Sequence, residues 1–305
     1  MEQENGKWKF LSRLSPELQE KIQALNANPP IPTWPDQKRG IPNLCLRSAL
    51  FGVIQRGRRK AVKRETIAAI SGLNIRYTGW RLDQGDFDVL AHALHLASHQ
   101  SKTGQYVQFT ARGFLKGISR SHGKSGREWL KDSLRRLTAS AVEIRLEVQT
   151  HFGPERFSYT GSLLDEFYYT EEDQTYFLKF NAKLATLFDA GWTQLQWQQR
   201  LALRTDLAKW LHGFYASHRI PYPMKVRTLQ QLCGSDCGRL SDYRNKLRLA
   251  FDELVRAEII ASWVIDQEDK VHVQKTDFRV PNPIIQGGRG IAVVREGHSG
   301  RKGGA

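Results

Sequence analysis

Residues 124, 127, 131 and 135 are Lys, Arg, Lys and Arg, and residues 239, 241, 244, 245 and 248 are Arg, Ser, Arg, Asn and Arg. Spacings of three and four residues put the members of each set on one face of a helix. Such a face suits a nucleic-acid duplex, because phosphates attract the cations while a guanidinium can bridge guanine and an amide can bridge adenine. Ser125-Gly-Arg-Glu128 has the form of a capping box, which predicts a helix starting at Ser125 with its first amides free for a phosphate. The expected contacts are therefore Lys124, Ser125, Arg127, Lys131 and Arg135 in the first set, and Arg239, Ser241, Arg244, Asn245 and Arg248 in the second. Lys270, in a later turn, is expected to meet a phosphate or the minor groove. A solvated charged face would use the same residue types; its occurrence twice favours binding.

Four other groups invite chemistry and support it less well. Gly117-Ile-Ser-Arg-Ser-His-Gly-Lys-Ser125 resembles a nucleotide-binding loop, but it has one residue too many before Gly-Lys-Ser and follows a helical pattern instead of a strand. His92, His95 and His99 share a helix face without a carboxylate or thiol at a ligand spacing, so a polar face is expected and no metal. Cys233 and Cys237 are two sulfurs in a turn and are expected to serve packing. Tyr168 and Tyr169 are possible nucleophiles for strand nicking, yet His92-Ala-Leu-His95 is one residue too long for the metal-binding His pair of such enzymes. No Gly-x-Ser-x-Gly or His-Glu-x-x-His pattern is present. Neither catalysis nor a cofactor is expected.

The elements that must position the two faces form an internal repeat. Laying residue i on residue i+117 needs no gap over about 35 residues: Leu115-Lys-Gly117 falls on Leu232-Cys-Gly234, Arg127 on Arg244, and Lys131 on Arg248. The stripe Leu130, Leu134, Leu137 falls on Leu247, Phe251, Leu254, with the i, i+4, i+7 spacing of a buried helix face. Each stripe follows a shorter helix (Ala111 to Lys116; Leu229 to Cys233) and an extended piece (Tyr106 to Phe109; Pro223 to Val226), and precedes a β-prone run. Those runs are Val142 to Val148 and Ile259 to Ile265, the second turning at Gln267 to Lys270 and returning through Val271-His-Val273 as a hairpin. With opening helices at Asp86 to His99 and Arg200 to Ser217, the order predicts an α+β chain of two tandem winged-helix domains. The expected boundaries are residues 61–190 and 191–278.

Composition sets the partner class. The chain has 305 residues with 46 Lys and Arg against 31 Asp and Glu, a formal charge of +15, so a polyanion is expected. Residues 1–60 contain Asn28-Pro-Pro-Ile-Pro-Thr-Trp-Pro35 and the run Arg56-Gly-Arg-Arg-Lys60, which predict an arm or linker. Residues 279–305 predict a disordered basic tail. Three cysteines and no signal-like start point to a reducing cytoplasm. No run approaches the roughly 18 apolar residues of a membrane span, and no membrane insertion is expected.

Longer motifs carry a family resemblance. Ser217-His-Arg-Ile-Pro-Tyr-Pro-Met-Lys225, Leu232-Cys-Gly-Ser-Asp236, Glu253-Leu254 and Trp263-Val264 resemble the C-terminal half of the TrfA-type replication initiators of broad-host-range plasmids. Trp34-Pro-Asp36, Arg47-Ser-Ala-Leu-Phe51 and Tyr77-Thr-Gly79 resemble the start of that family's first domain. The resemblance implies binding of directly repeated origin sequences (iterons) through tandem winged helices, melting of an adjacent A+T-rich element, and recruitment of the host DnaA and the DnaB helicase, without nucleotide hydrolysis. It also implies a monomer–dimer equilibrium that limits copy number. A sliding-clamp contact is implied with one departure: the position of the family's Gln-Leu-x-Leu-Phe clamp peptide reads Leu25-Asn-Ala-Asn-Pro-Pro-Ile-Pro32, which leaves clamp binding without its peptide.

Overall fold

The computed structural model describes residues 31–55, 57–100, 106–150, 153–172 and 174–276. Its elements begin with β1 (Lys38–Pro42), α1 (Asn43–Leu46), β2 (Phe51–Gly52), β3 (Ala61–Ile67), β4 (Leu73–Trp80), β5 (Leu82–Asp83) and α2 (Gln84–Gln100). The first helix-turn-helix follows as β6 (Val107–Thr110), α3 (Ala111–Gly117) and α4 (Lys124–Thr138), then β7 (Ala141–Thr150), β8 (Gly153–Gly161), β9 (Leu164–Tyr169) and β10 (Thr175–Phe180). After a 3-10 turn at Ala182–Ala185 come α5 (Thr186–Asp189), β11 (Trp192–Gln196), α6 (Trp197–Ala202) and α7 (Asp206–Ala216). The second helix-turn-helix is β12 (Met224–Lys225), α8 (Val226–Leu232) and α9 (Leu240–Arg256), with the hairpin β13 (Ile260–Ile265) and β14 (Lys270–Lys275).

Both units are winged helices. In the second, β12 pairs with β14 and β14 with β13, so the strand before the helices closes onto the hairpin. The first has the same order, β6-β10-β9. Phe109 faces Tyr176 there as Met224 faces Val271 in the second unit. Leu130, Leu134 and Leu137 are buried in one core and Leu247, Phe251 and Leu254 in the other, as the 3.6-residue period requires.

The repeat is less regular than a gapless offset. Thr110 and Lys225, which cap the N-termini of α3 and α8, stand 115 apart, whereas the leucine stripes of α4 and α9 stand 117 apart. The wing strands, starting at Leu164 and Ile260, stand 96 apart, because residues 141–161 are an inserted hairpin. That corrects the expected first wing. The run from Val142 joins β4 in a separate sheet of order β3-β4-β7-β8, where Val142 and Ile144 lie opposite Tyr77 and Ile75 and all four side chains are buried. An alternating strand goes where its apolar face is covered, and β4 offers that face.

Two further expectations change. The opening helix of the second unit is split into α6 and α7 at Leu203 to Thr205, with the Thr205 hydroxyl accepting from the Ala208 amide as a new N-cap. Residues 34–52 are not an arm: Trp34, Ile41, Leu44, Leu46, Leu50 and Phe51 are buried in the first core, and β1 pairs with β11. Residues 1–30 and the basic tail from 277 lie outside the described residues.

The two units share a polar junction. Buried Arg200 on α6 reaches back to α2, with Nε 2.7 Å from Asp88 and Nη2 2.9 Å from Gln84, and Lys209 on α7 meets the other Asp88 oxygen at 2.6 Å. Trp197 Nε1 donates to the Gly117 carbonyl, Trp210 Nε1 to the Ser48 carbonyl, and the Val53 amide to the Cys233 carbonyl.

Candidate nucleic-acid interface

On α9, Tyr243, Leu247, Ala250, Phe251 and Leu254 face the core, which leaves Ser241, Asn245 and Arg248 exposed on the opposite side, with Arg239 exposed just before the helix. Arg248 Nη1 donates to Asn245 Oδ1 at 3.3 Å, so the two groups are side by side. Leu249, 67% exposed, extends this face with an apolar group suited to a thymine methyl. Lys246 is exposed on the same helix, and Lys225 and Arg227 at the start of α8, where a first helix crosses the backbone; none of the three belongs to the sequence-predicted set. The missed signal was a cation at the start of the shorter helix.

Arg244 and Lys270 have structural partners. Arg244 Nε lies 2.9 Å from Asp269 Oδ1, joining the reading helix to the wing turn, and this hydrogen bond holds the guanidinium pKa above its usual value. Lys270 Nζ pairs with Glu268. Asp266 accepts from the amides of Glu268 and Lys270 and from His272, a set that keeps its carboxyl below the ordinary range. The wing tip is thus a closed cluster of paired side chains.

The first unit departs more from expectation. Lys124 and Ser125 are exposed at the start of α4 and Arg127 is half-buried, but Lys131 is buried, 3.2 Å from Glu128 and 4.4 Å above the Tyr169 ring. Its alkyl stem covers β9, so it leaves the exposed face. Arg135 is exposed and paired with Asp132 at 2.8 Å. The capping box does not form: Gly123 is the N-cap, and Ser125 makes no capping hydrogen bond. The preceding turn folds back over the helix start, where a Cβ on Gly126 would lie 1.8 Å from the Ser121 carbonyl oxygen. Gly126→Ala is expected to cost about 1–3 kcal/mol by displacing that backbone, measured by urea unfolding. The wing turn of this unit carries exposed Glu171 and Glu172, which repel phosphate.

The other candidate groups resolve as follows. Gly117 to Ser125 spans the end of α3, the turn at residues 118–123 and the start of α4, and the element before it is a helix. The thiols of Cys233 and Cys237 are buried; Cys233 Sγ meets Tyr243 Oη at 3.4 Å and Cys237 Sγ donates to the Arg239 carbonyl. Tyr168 stacks on Phe177, and Tyr169 on Tyr176, within the first wing sheet.

The histidines gain a carboxylate the sequence did not reveal. Asp36 lies 3.7 Å from His95 Nε2 and 3.5 Å from His99 Nε2. Trp34 Nε1 donates to His95 Nδ1 at 3.1 Å, however, so the neutral ring carries its proton on Nε2, the atom a metal would need. The residues do not fit a metal. Burial, with Arg39 and His99 nearby, pushes the His95 pKa down to about 4.

Comparison with known proteins agrees with this architecture. The TrfA protein family matches residues 18–275. The plasmid replication initiator protein TrfA of Escherichia coli is 27% identical over 251 residues, which cover 80% of this chain and 64% of that protein's length. A crystal structure of domains 2 and 3 of RctB superposes with a TM-score of 0.52 at 12% identity, covering 76% of this chain and 96% of that one. A second RctB structure, of residues 155–483, gives 0.51 at 13% identity over 74% and 95%. At these identities the RctB likeness concerns the fold alone. The match across both units, from residue 18 to the second wing, places the chain in the TrfA protein family.

Proposed function

We propose that this chain initiates plasmid replication by binding directly repeated sequences in double-stranded origin DNA. The observation that carries the reading is the junction of two helix-turn-helix units in one chain, tied by Arg200, Asp88 and Lys209. Two joined reading helices suit direct repeats, whereas a palindrome suits a two-fold dimer. The second unit reads bases through Asn245 and Arg248, and Arg244 positions the wing. Arg239, Ser241 and Lys270 lie where that unit meets the duplex, and Lys124, Ser125, Arg127 and Arg135 give the first unit backbone contacts. The protein works without catalysis in the bacterial cytoplasm, promotes melting of an adjacent A+T-rich element and recruits host DnaA and the DnaB helicase.

Arg248→Ala is expected to weaken binding to a duplex carrying the repeats by about 5- to 150-fold, or about 1–3 kcal/mol, and to affect an unrelated duplex less. Fluorescence anisotropy on the two duplexes checks this. Equal losses would make Arg248 a phosphate contact; unchanged binding would remove it from the interface. Initiation itself is tested by placing the gene and its flanking DNA in a host: failure to replicate autonomously with the repeats present overturns that part of the reading.

A further inference from the structure

We propose that the cleft between the basic segment before β3 and the turn of the second helix-turn-helix is a phosphate site that grips the DNA backbone beside the second reading helix. This rests on the DNA-binding reading above and adds residues from the first unit to the second unit's interface.

The cleft, about 180 Å³, has Arg58, Lys60 and Arg81 on one side, Gly234 and Asp236 on the other, and Glu65 at its edge. Arg81 is fixed in place: Nη1 is 2.7 Å from Glu65, Nη2 is 3.3 Å from the Ala49 carbonyl, and Nε is buried without a hydrogen-bond partner among the described residues. Arg58 and Lys60 are exposed, and neither meets a carboxylate within ion-pair distance among the described residues. Arg59 between them is committed to Asp83 and Asp86, so it anchors the segment and lets its neighbours project. Glu65 neutralises Arg81, and exposed Asp236 opposes an anion on the far side. Arg58 and Lys60 therefore supply the attraction.

The position gives the ligand. Gly234 adopts a left-handed φ of 62°, and a Cβ there would lie 2.9 Å from the Ala49 Cβ and 3.0 Å from Arg81 Nη2, so the turn is pressed against the first unit. The Val53 amide bonds the Cys233 carbonyl across the same contact. That turn leads directly to Arg239 and the start of α9. In a docked helix-turn-helix the first helix and turn border the phosphates that flank the groove. A cation pair held across the cleft from that turn meets the phosphodiester backbone, and a free inorganic phosphate offers the same chemistry from another source.

The test is the double variant Arg58→Gln, Lys60→Gln in the full chain, with Arg59 and Arg81 unchanged. Binding to the repeat duplex and to an unrelated duplex is measured between 50 and 200 mM salt. Two phosphate contacts predict a slope of log K against log salt flatter by about 1.8, with both duplexes losing affinity by a similar factor of about ten. An unchanged slope with intact wild-type binding overturns the cleft alone; failure of the wild type to bind either duplex overturns the DNA-binding reading beneath it. If phosphate raises the Tm of the wild type and not of the variant while the DNA salt slope is unchanged, the site holds a free anion and the backbone assignment falls.

Discussion

Arg200→Met is expected to lower the unfolding free energy by about 3–5 kcal/mol, because it strips one partner from a buried charge pair. Arg200 is 0% exposed. Its three nitrogens engage Asp88, Gln84 and the Lys209 carbonyl, and its guanidinium lies 4.1 Å above the Phe87 ring. Methionine fills much of the volume but leaves the Asp88 carboxylate with Lys209 as its remaining cation and Gln84 Oε1 without its donor. Adding Asp88→Asn should recover part of the loss, since the buried carboxylate left with a single cation is then gone and the partly exposed Lys209 can turn to solvent. Urea unfolding of the single and double variants measures both numbers. Because this pair joins α2 to α6, the variant should also bind two tandem repeats with less dependence on their spacing. A cost below about 1 kcal/mol would mean that the surrounding tryptophan contacts hold the junction without the ion pair.

The parts legible in the sequence were those whose signal is local and periodic. The stripes of α4 and α9 follow from their leucine spacing, and β13 and β14 from two β-prone runs around Gln267-Glu-Asp. What escaped depended on distant partners. Nothing near Ile31-Pro-Thr-Trp-Pro35 signals that Ile41 will face Thr193 across β1 and β11, so a proline-rich stretch reads as an arm although Trp34 is 3% exposed. The strand character of Val142 to Val148 was visible, but its partner was not, because β4 lies before α2.

On the binding faces, Lys131 and Arg244 differ from expectation for another reason. Assigning Lys131 to solvent assumes that a cation on a polar helix face is free, and the Tyr169 ring and Glu128 make it a packing residue. Arg244 occupies the helix face expected of it, yet Asp269 turns it toward the wing. The second unit keeps Asn245 and Arg248 exposed, whereas the first pairs Arg135, buries Lys131 and carries Glu171 and Glu172 at its wing turn. Both wing turns carry carboxylates, unpaired among the described residues at Glu171 and Glu172 in the first unit and paired at Asp266, Glu268 and Asp269 in the second, so what distinguishes the units is the exposed face of the longer helix.

Acid should destabilise the protein steeply below pH 6.5, through histidines held neutral in the fold. Burial, reinforced by Arg39 and His95, lowers the His92 pKa to about 3, and burial with Arg200 lowers that of His212 to about 3. The unfolded chain takes up these protons near pH 6.5 and the folded chain does not. Between pH 6.5 and about 3 the unfolded state therefore binds more protons, and stability falls as pH falls, by about 1.4 kcal/mol per unit for each ring. From pH 7 to 4.5 the two together predict a loss of about 5 kcal/mol, comparable with the whole stability of a modest domain. The Asp83 carboxyl, raised to about 6, offsets part of this loss between about pH 6 and 4, whereas Asp86, lowered by Arg136 and Arg59, adds to the loss only below about pH 4. His212 is the sharper probe, because its Nδ1 is buried with no hydrogen-bond partner among the described residues, and burial with Arg200 outweighs the pull of Asp88 toward the protonated ring. His212→Gln should cut the proton uptake on unfolding at pH 5 by about one, whatever it does to stability at pH 7. The same uptake in wild type and variant would show that His212 titrates normally in the fold, and would move the acid sensitivity to the carboxylates.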